Sequence, residues 1–177
     1  YYLEGPHSKA FCDQDVNRAP HFVEGRLCTD LAGLGEKWSV SLWLWNGMPN
    51  DGREVSGWFF SRDHNHGLSA YGEHLGIGGT SGNTGRLVFQ ANGVLAGKTE
   101  IPRWTWQHVV LVRDGGKVRV YLNGKLEIEG EAQASKIASC FFGGRSDHAA
   151  SWEGRMDEIA VFDRALSVKD VAKLGVK

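Results

Sequence analysis

Histidines and polar side chains crowd one stretch of this chain, Arg62-Asp63-His64-Asn65-His66, with Tyr71 and His74 close behind. Two chemistries suit such a cluster. His64 and His66 stand two apart, so on a strand both rings would share a face and hold zinc. No clear strand signal surrounds them, and the zinc reading is set aside. The second chemistry is sugar recognition, in which flat rings stack on pyranose faces while Asp, Asn, His and Arg hydrogen-bond the hydroxyls. Trp58, Asp63, His64, His66, Tyr71, His74, Arg145, Asp147 and Trp152 have the right types and fall near segments read as loops. Asn83 and His148 share those properties. Any one of them alone is more economically a solvated loop residue or an edge aromatic.

Other motifs carry less. Asp157 and Glu158 are adjacent, so a strand would send them to opposite faces, where they cannot act as an acid and base pair. Gly97-Lys98-Thr99 imitates the end of a phosphate-binding loop, but its upstream glycine position is Asn92 and no strand-to-helix context follows. Asp13, Asp15, Asn17 and Glu24 have EF-hand spacing, yet Arg18 occupies the glycine position and flanking helices are lacking. Cys12, Cys28 and Cys140 form no Cys-x-x-Cys pair, which excludes a zinc ribbon. One disulfide with a free thiol, or three free thiols, both remain open.

The elements that must position these groups read as strands. The 24 glycines, 7 tryptophans and 4 prolines fit many short strands joined by tight turns. Pro20 to Leu27 is a first run. Trp38 to Trp45 alternates Val40, Leu42 and Leu44 with Ser39, Ser41, Trp43 and Trp45, which predicts an inner strand covered on both faces. Val55 to Ser61 follows a loop marked by Asn46-Gly47 and Asp51-Gly52; Arg62 to Gly85 is loop-rich around Leu75-Gly76-Ile77. Trp104 to Gly130 predicts a three-stranded meander with turns at Asp114-Gly115-Gly116 and Asn123-Gly124. Ser139 to Gly144 and Arg155 to Phe162 add two strands. Ser167 to Leu174 is the one helical stretch, opened by Ser167 and Asp170 in the spacing of a capping box. The expected fold is all-β, an antiparallel two-sheet β-sandwich of about ten to twelve strands with one short C-terminal helix. Residues 1–18 are expected to drape over a domain spanning 19–177. Trp38, Trp43, Trp45, Trp104 and Trp106 are expected mostly in packing, with Trp43 or Trp45 alternatively lining a concave face.

Balanced charge, 20 basic against 21 acidic residues, and a pI near 6.7 argue against a nucleic-acid partner. No apolar run reaches the length of a membrane span. The chain opens at Tyr1 without a Met or leader, which reads as a piece of a longer protein.

Ordered blocks then carry a resemblance. Trp106-Gln107-His108-Val109-Val110-Leu111-Val112-Arg113-Asp114 with Val118-Arg119-Val120-Tyr121-Leu122-Asn123-Gly124, Phe142-Gly143-Gly144, and Gly154 through Ser167 resemble laminin-G-like jelly rolls of the concanavalin A-like lectin/glucanase superfamily. Phe22-Val23-Glu24-Gly25 and Ser39-Val40-Ser41-Leu42-Trp43 match its opening strands more loosely, and Trp45 to Asp51 is similar to planctomycete examples. The resemblance covers about residues 20–174. It implies a non-catalytic carbohydrate-binding or adhesion module of a larger secreted or cell-surface protein, with a polysaccharide or glycan as partner. Alternatives are a structural module packed on a neighbouring enzyme domain, and a hydrolase or lyase of the same fold. The Glu-x-Asp-x-x-Glu strand of β-glucan-cleaving relatives is missing, so the expectation is no enzyme. The resemblance also implies a structural calcium ion at Asp157, joined by backbone carbonyls near the N-terminus, and an extracellular, periplasmic or surface location.

Overall fold

The computed structural model describes residues 1–7, 16–65, 67–69 and 72–174. Among them, thirteen strands form two antiparallel sheets. The seven-stranded sheet runs β1 (Tyr2–Glu4), β2 (Arg18–Val23), β13 (Glu153–Phe162), β4 (Lys37–Asn46), β9 (Trp106–Asp114), β10 (Lys117–Leu122) and β11 (Lys125–Glu131). The six-stranded sheet runs β3 (Leu27–Asp30), β12 (Ser139–Phe142), β5 (Val55–Arg62), β6 (Glu73–Gly78), β7 (Arg86–Gln90) and β8 (Val94–Glu100). The two sheets stack as a β-sandwich of jelly-roll type, with helix α1 (Val168–Leu174) at the C-terminus.

Alternation along β4 explains its central place. Trp38, Val40, Leu42 and Leu44 enter the inter-sheet core with Val109, Leu111, Val118, Val120, Phe59, Phe89 and Phe142. Ser39, Ser41 and Trp43 point the other way and are buried too, because the outer face of this sheet is itself covered. Part of that cover is α1. Leu166 and Val171 pack on Val110, Val112 and Tyr121 as a second apolar cluster. Its first turn is capped as expected: Asp170 Oδ2 accepts from the Ser167 backbone N–H at 3.0 Å, and Ser167 Oγ accepts from Asp170 N–H at 3.2 Å. With Arg164 also at 2.9 Å, the Asp170 carboxyl is held well below the usual carboxylate range.

Asn123 and Gly124, at φ 50° and 78°, close the β10–β11 hairpin with the positive φ pair of a type I′ turn. Gly97-Lys98-Thr99 lies on edge strand β8. There the Glu127 carboxylate of β11 accepts from the backbone N–H groups of Lys98 and Thr99, tying together one edge of the two sheets.

Two expectations need correction. The first run does not continue to Leu27: the chain leaves one sheet after Val23, bends with Glu24 at φ 58°, and joins the other sheet as β3. Residues 73–78, read as part of a loop-rich stretch, form the fully buried strand β6. Its glycines misled the reading; a Cβ at Gly76 would lie 2.5 Å from the Gly57 carbonyl, so the strand needs glycine for close packing. Within the N-terminal segment expected to cover the domain, Tyr2–Glu4 pairs with β2 as an edge strand. Cys28 is exposed, Cys140 is buried, both are free thiols, and Cys12 lies outside the described residues.

One buried feature escaped the sequence reading. Arg113 of β9 and Glu73 of β6 meet across the sandwich at 2.9 Å with both side chains fully buried. Arg62 beside them donates to the Leu34 and Gly35 carbonyls at 2.7 and 3.1 Å. Burial outweighs both arginines and raises the Glu73 carboxyl above its usual range.

Candidate functional site

The outer face of the six-stranded sheet gathers the chemistry. A bulge between Trp58 and Phe60 sends Phe59 and Phe60 both into the core, while Trp58 stays on the outer face with His74 of the neighbouring strand. Ser61 lies opposite His74 in register, and its hydroxyl is 2.7 Å from His74 Nδ1. The indole of Trp58 tilts against the imidazole at 5.8 Å. Asp63 stands just past the end of β5, its carboxylate 3.7 Å from His74 Nε2.

Burial sets the protonation states. His74 is nearly closed off, and desolvation, with Arg145 adding to it, lowers its pKa to about 4. Desolvation raises Asp63, against the backbone N–H groups of His64 and Ser69 that bond its carboxylate. At neutral pH His74 is therefore uncharged and the Asp63 contact is not an ion pair. Serine, histidine and aspartate together invite comparison with a hydrolytic triad. Ser61 is fully buried, however, so its Oγ cannot reach a substrate, and the Asp63 carboxylate is committed to the backbone N–H groups of His64 and Ser69.

The cover over this cluster is the excursion from Gly143 to Trp152, closed at its neck by a 2.9 Å bond from Trp152 N–H to the Gly143 carbonyl. Ser146 Oγ ties it to the Gly67 carbonyl at 2.9 Å. His148 and Ala150 sit at φ 62° and 45°, a strained backbone of the kind that concentrates at functional sites. Arg145 reaches from this loop and lays its guanidinium over Trp58 at 5.3 Å. Asp147 holds it through two bonds, 3.1 and 2.8 Å. Beside this arrangement opens a cleft of about 470 Å³, bordered by Arg53, Glu54, Trp58, Gln90, Arg145 and Ala150. A fixed cation, a carboxylate and an amide facing one cleft can hydrogen-bond a hydroxyl-rich ligand from several sides.

Five residues singled out from sequence meet here: Trp58, Asp63, His74, Arg145 and Asp147. Trp58, Asp63 and His74 are buried supports beneath the cleft rather than the solvent-facing contacts expected, because the 143–152 loop and Arg145 lie over them. Trp152 belongs elsewhere. Fully buried, it packs edge-on against Phe59 at 5.6 Å in the core, which corrects its reading as a sugar contact. The exposed side chain of His64 faces a different groove, of about 830 Å³, beside residues 133–139; among the described residues no Phe, Tyr or Trp lines it. His66 and Tyr71 lie outside the described residues. Arg53, Glu54 and Gln90 were missed, since nothing in their spacing marks them; only the tertiary fold brings the loop before β5 and the end of β7 to one opening.

Asp157 occupies the other sheet. A bulge between Asp157 and Ala160 on β13 places Glu158 at φ 50° and turns the Asp157 carboxylate toward the N-terminal segment. Its Oδ2 accepts from Asn17 Nδ2 at 2.9 Å, and the same amide donates to the Pro6 carbonyl at 2.9 Å. Trp104 corrects the expectation of packing: it is 61% exposed, whereas Trp38 and Trp43 are buried.

Comparison with known proteins agrees with this architecture. A model of the concanavalin A-like lectin/glucanases superfamily, of laminin-G type, matches residues 26–172. Domain 4 of the extracellular GH43 arabinanase AbnA of Geobacillus stearothermophilus, solved with arabinotriose, is 23% identical with a TM-score of 0.64, covering 97% of this chain and 82% of that one. The CBM40 of the Ruminococcus gnavus IT-sialidase, solved with α2,3 sialyllactose, is 14% identical with a TM-score of 0.69, covering 89% and 96%. The heptameric SAP-like pentraxin of Limulus polyphemus is 20% identical with a TM-score of 0.61, covering 79% and 70%. At these identities the likeness is one of fold.

Proposed function

The chain belongs to the laminin-G-type family of the concanavalin A-like lectin/glucanases superfamily, and from that premise we propose that it is a non-catalytic carbohydrate-binding module of a secreted or cell-surface protein. One observation carries the reading: Arg145, fixed by Asp147 and by the face of Trp58, borders a cleft shared with Glu54 and Gln90. Such a preformed set loses little entropy when it binds a polar ring. The arabinotriose and sialyllactose held by fold relatives point to oligosaccharides as the ligand class. A catalytic reading has less to stand on, since Ser61 is sealed and Asp157 and Glu158 diverge at a bulge.

The test is affinity electrophoresis and calorimetry of the domain against a glycan panel that includes arabinan, arabinotriose and sialyllactose. Binding to at least one member is expected, weakened about tenfold or more in Arg145→Ala with the melting temperature held. Silence across the panel, or an Arg145→Ala variant that binds like wild type, defeats the proposal.

A structural calcium ion at Asp157 is part of the same proposal. The Asp157 carboxylate, the Pro6 carbonyl and, after a half-turn of its amide, the Asn17 side-chain oxygen are the hard donors that calcium prefers. No cation pairs with this carboxylate among the described residues. These three oxygens match calcium in kind, and water would complete its six to eight ligands. Bound there, calcium would pin the N-terminal segment to β13. Addition of calcium should raise the melting temperature over that in chelator, and Asp157→Asn should erase the difference.

A further inference from the structure

Trp104 is out of place by every ordinary rule. Trp38, Trp43, Trp58 and Trp152 are buried and Trp45 and Trp106 half-buried, yet Trp104 leaves 61% of its surface in water. Its backbone sits at φ 62°, a region that bulky side chains rarely adopt. Neither burial nor backbone preference puts it there; its neighbours do. The Trp104 backbone N–H donates to the Asn46 carbonyl at 2.9 Å, and Arg103 Nη2 donates to the Gly47 carbonyl at 2.8 Å. Thr105 Oγ1 closes the turn on the Pro102 carbonyl at 3.2 Å. The Arg103 guanidinium lies 4.3 Å from the indole centroid, backing one face and leaving the other open.

We propose that Trp104 is a second saccharide contact, a rigid stacking platform for one ring of a polysaccharide chain that extends beyond the Arg145 cleft. The proposal rests on the carbohydrate-binding reading and adds a subsite to it. Position supports the link. Arg103 is bonded to Gly47, at one end of the loop between β4 and β5, while Arg53 and Glu54 at the other end of that loop border the cleft. Chemistry supports it too. Pro102, Arg103 and Thr105 around the indole form no broad apolar patch of the kind a protein partner would cover. A ring with one C–H face and a rim of hydroxyls matches an exposed indole backed by a guanidinium.

The test pairs a polysaccharide with its own trisaccharide, arabinan with arabinotriose first, or whichever polysaccharide of the panel binds best. Trp104→Gly is the informative variant, because glycine adopts φ 62° without strain, and a thermal melt checks that the fold is kept. Its affinity for the polysaccharide should fall about tenfold while its affinity for the trisaccharide stays at the wild-type value. Arg145→Ala should weaken both. Bound polysaccharide should also shield Trp104 from oxidation by N-bromosuccinimide, read by peptide mass spectrometry. If Trp104→Gly binds the long chain like wild type while Arg145→Ala does not, the platform is refuted and the cleft stands. If the wild type binds nothing, the cleft fails and takes the platform with it.

Discussion

Each sheet carries the same trio on its outer face. On the seven-stranded sheet, Ser41 Oγ is 2.8 Å from His108 Nε2, and Trp43 tilts against that imidazole at 5.2 Å. On the six-stranded sheet, Ser61, His74 and Trp58 repeat the arrangement at 2.7 and 5.8 Å. Both histidines are buried and both are lowered to about 4. What differs is the company. Desolvation alone acts on His108, whereas Arg145 and Asp147 also act on His74, with Asp63 beside it. The seven-stranded face is further closed by the apolar underside of α1. A polar loop with a guanidinium covers the other and leaves a cleft. The shared trio is thus a way of filling an outer sheet face, and the charged loop above one copy is what sets the proposed site apart.

Removing the two tryptophans tests that division most severely. Trp43→Ala and Trp58→Ala should each destabilise the domain by about 3–5 kcal/mol, read by denaturant melts. The milder Trp43→Phe and Trp58→Phe separate the roles. Glycan affinity should drop about tenfold only for Trp58→Phe, which loses the indole under Arg145. Equal losses in both would erase the distinction.

Acid comes next. A histidine whose folded pKa is depressed from 6.5 to about 4 takes up its proton first in the unfolded chain. Its contribution is complete above pH 6.5 and is lost as pH falls toward 4, roughly 3 kcal/mol per histidine. Glu73, raised by burial, titrates with the opposite sign, so the measurement is a difference. The stability gap between wild type and His108→Gln should narrow steadily from pH 6.5 to 4; a gap constant with pH would show that His108 is not buried neutral.

The hydroxyls give the smallest effect. Ser41→Ala and Ser61→Ala should each cost about 1 kcal/mol, the net worth of one buried hydrogen bond. Similar values keep the trios equivalent as structure. A Ser61→Ala cost several times larger would mean that the site side depends on its histidine's orientation in a way the other side does not.

Much of the fold was legible. The meander from Trp106 to Glu131 announced itself through period-two alternation and through Asn123-Gly124, because both signals are local. Ser167 with Asp170 likewise marked the helix start. β6 stayed hidden because Gly76 answers to the close approach of β5, not to anything in its own segment. The break at Glu24 was hidden for a similar reason, since Phe22 and Leu27 serve different sheets and look alike in a line of sequence.

Residue type alone nominated Trp58, Asp63, His74, Arg145 and Asp147, and that choice rested on chemistry that a sequence states outright. It fixed the alternation of strands, the turns, and which side chains were able to bond a hydroxyl. Only the tertiary structure decided which of them face water. Trp152 and Trp104 are the same residue to a sequence reader, yet one fills the core and the other stands in solvent. Burial depends on what arrives from across the sandwich and from distant loops. Those partners are chosen by register and topology, which no local pattern encodes.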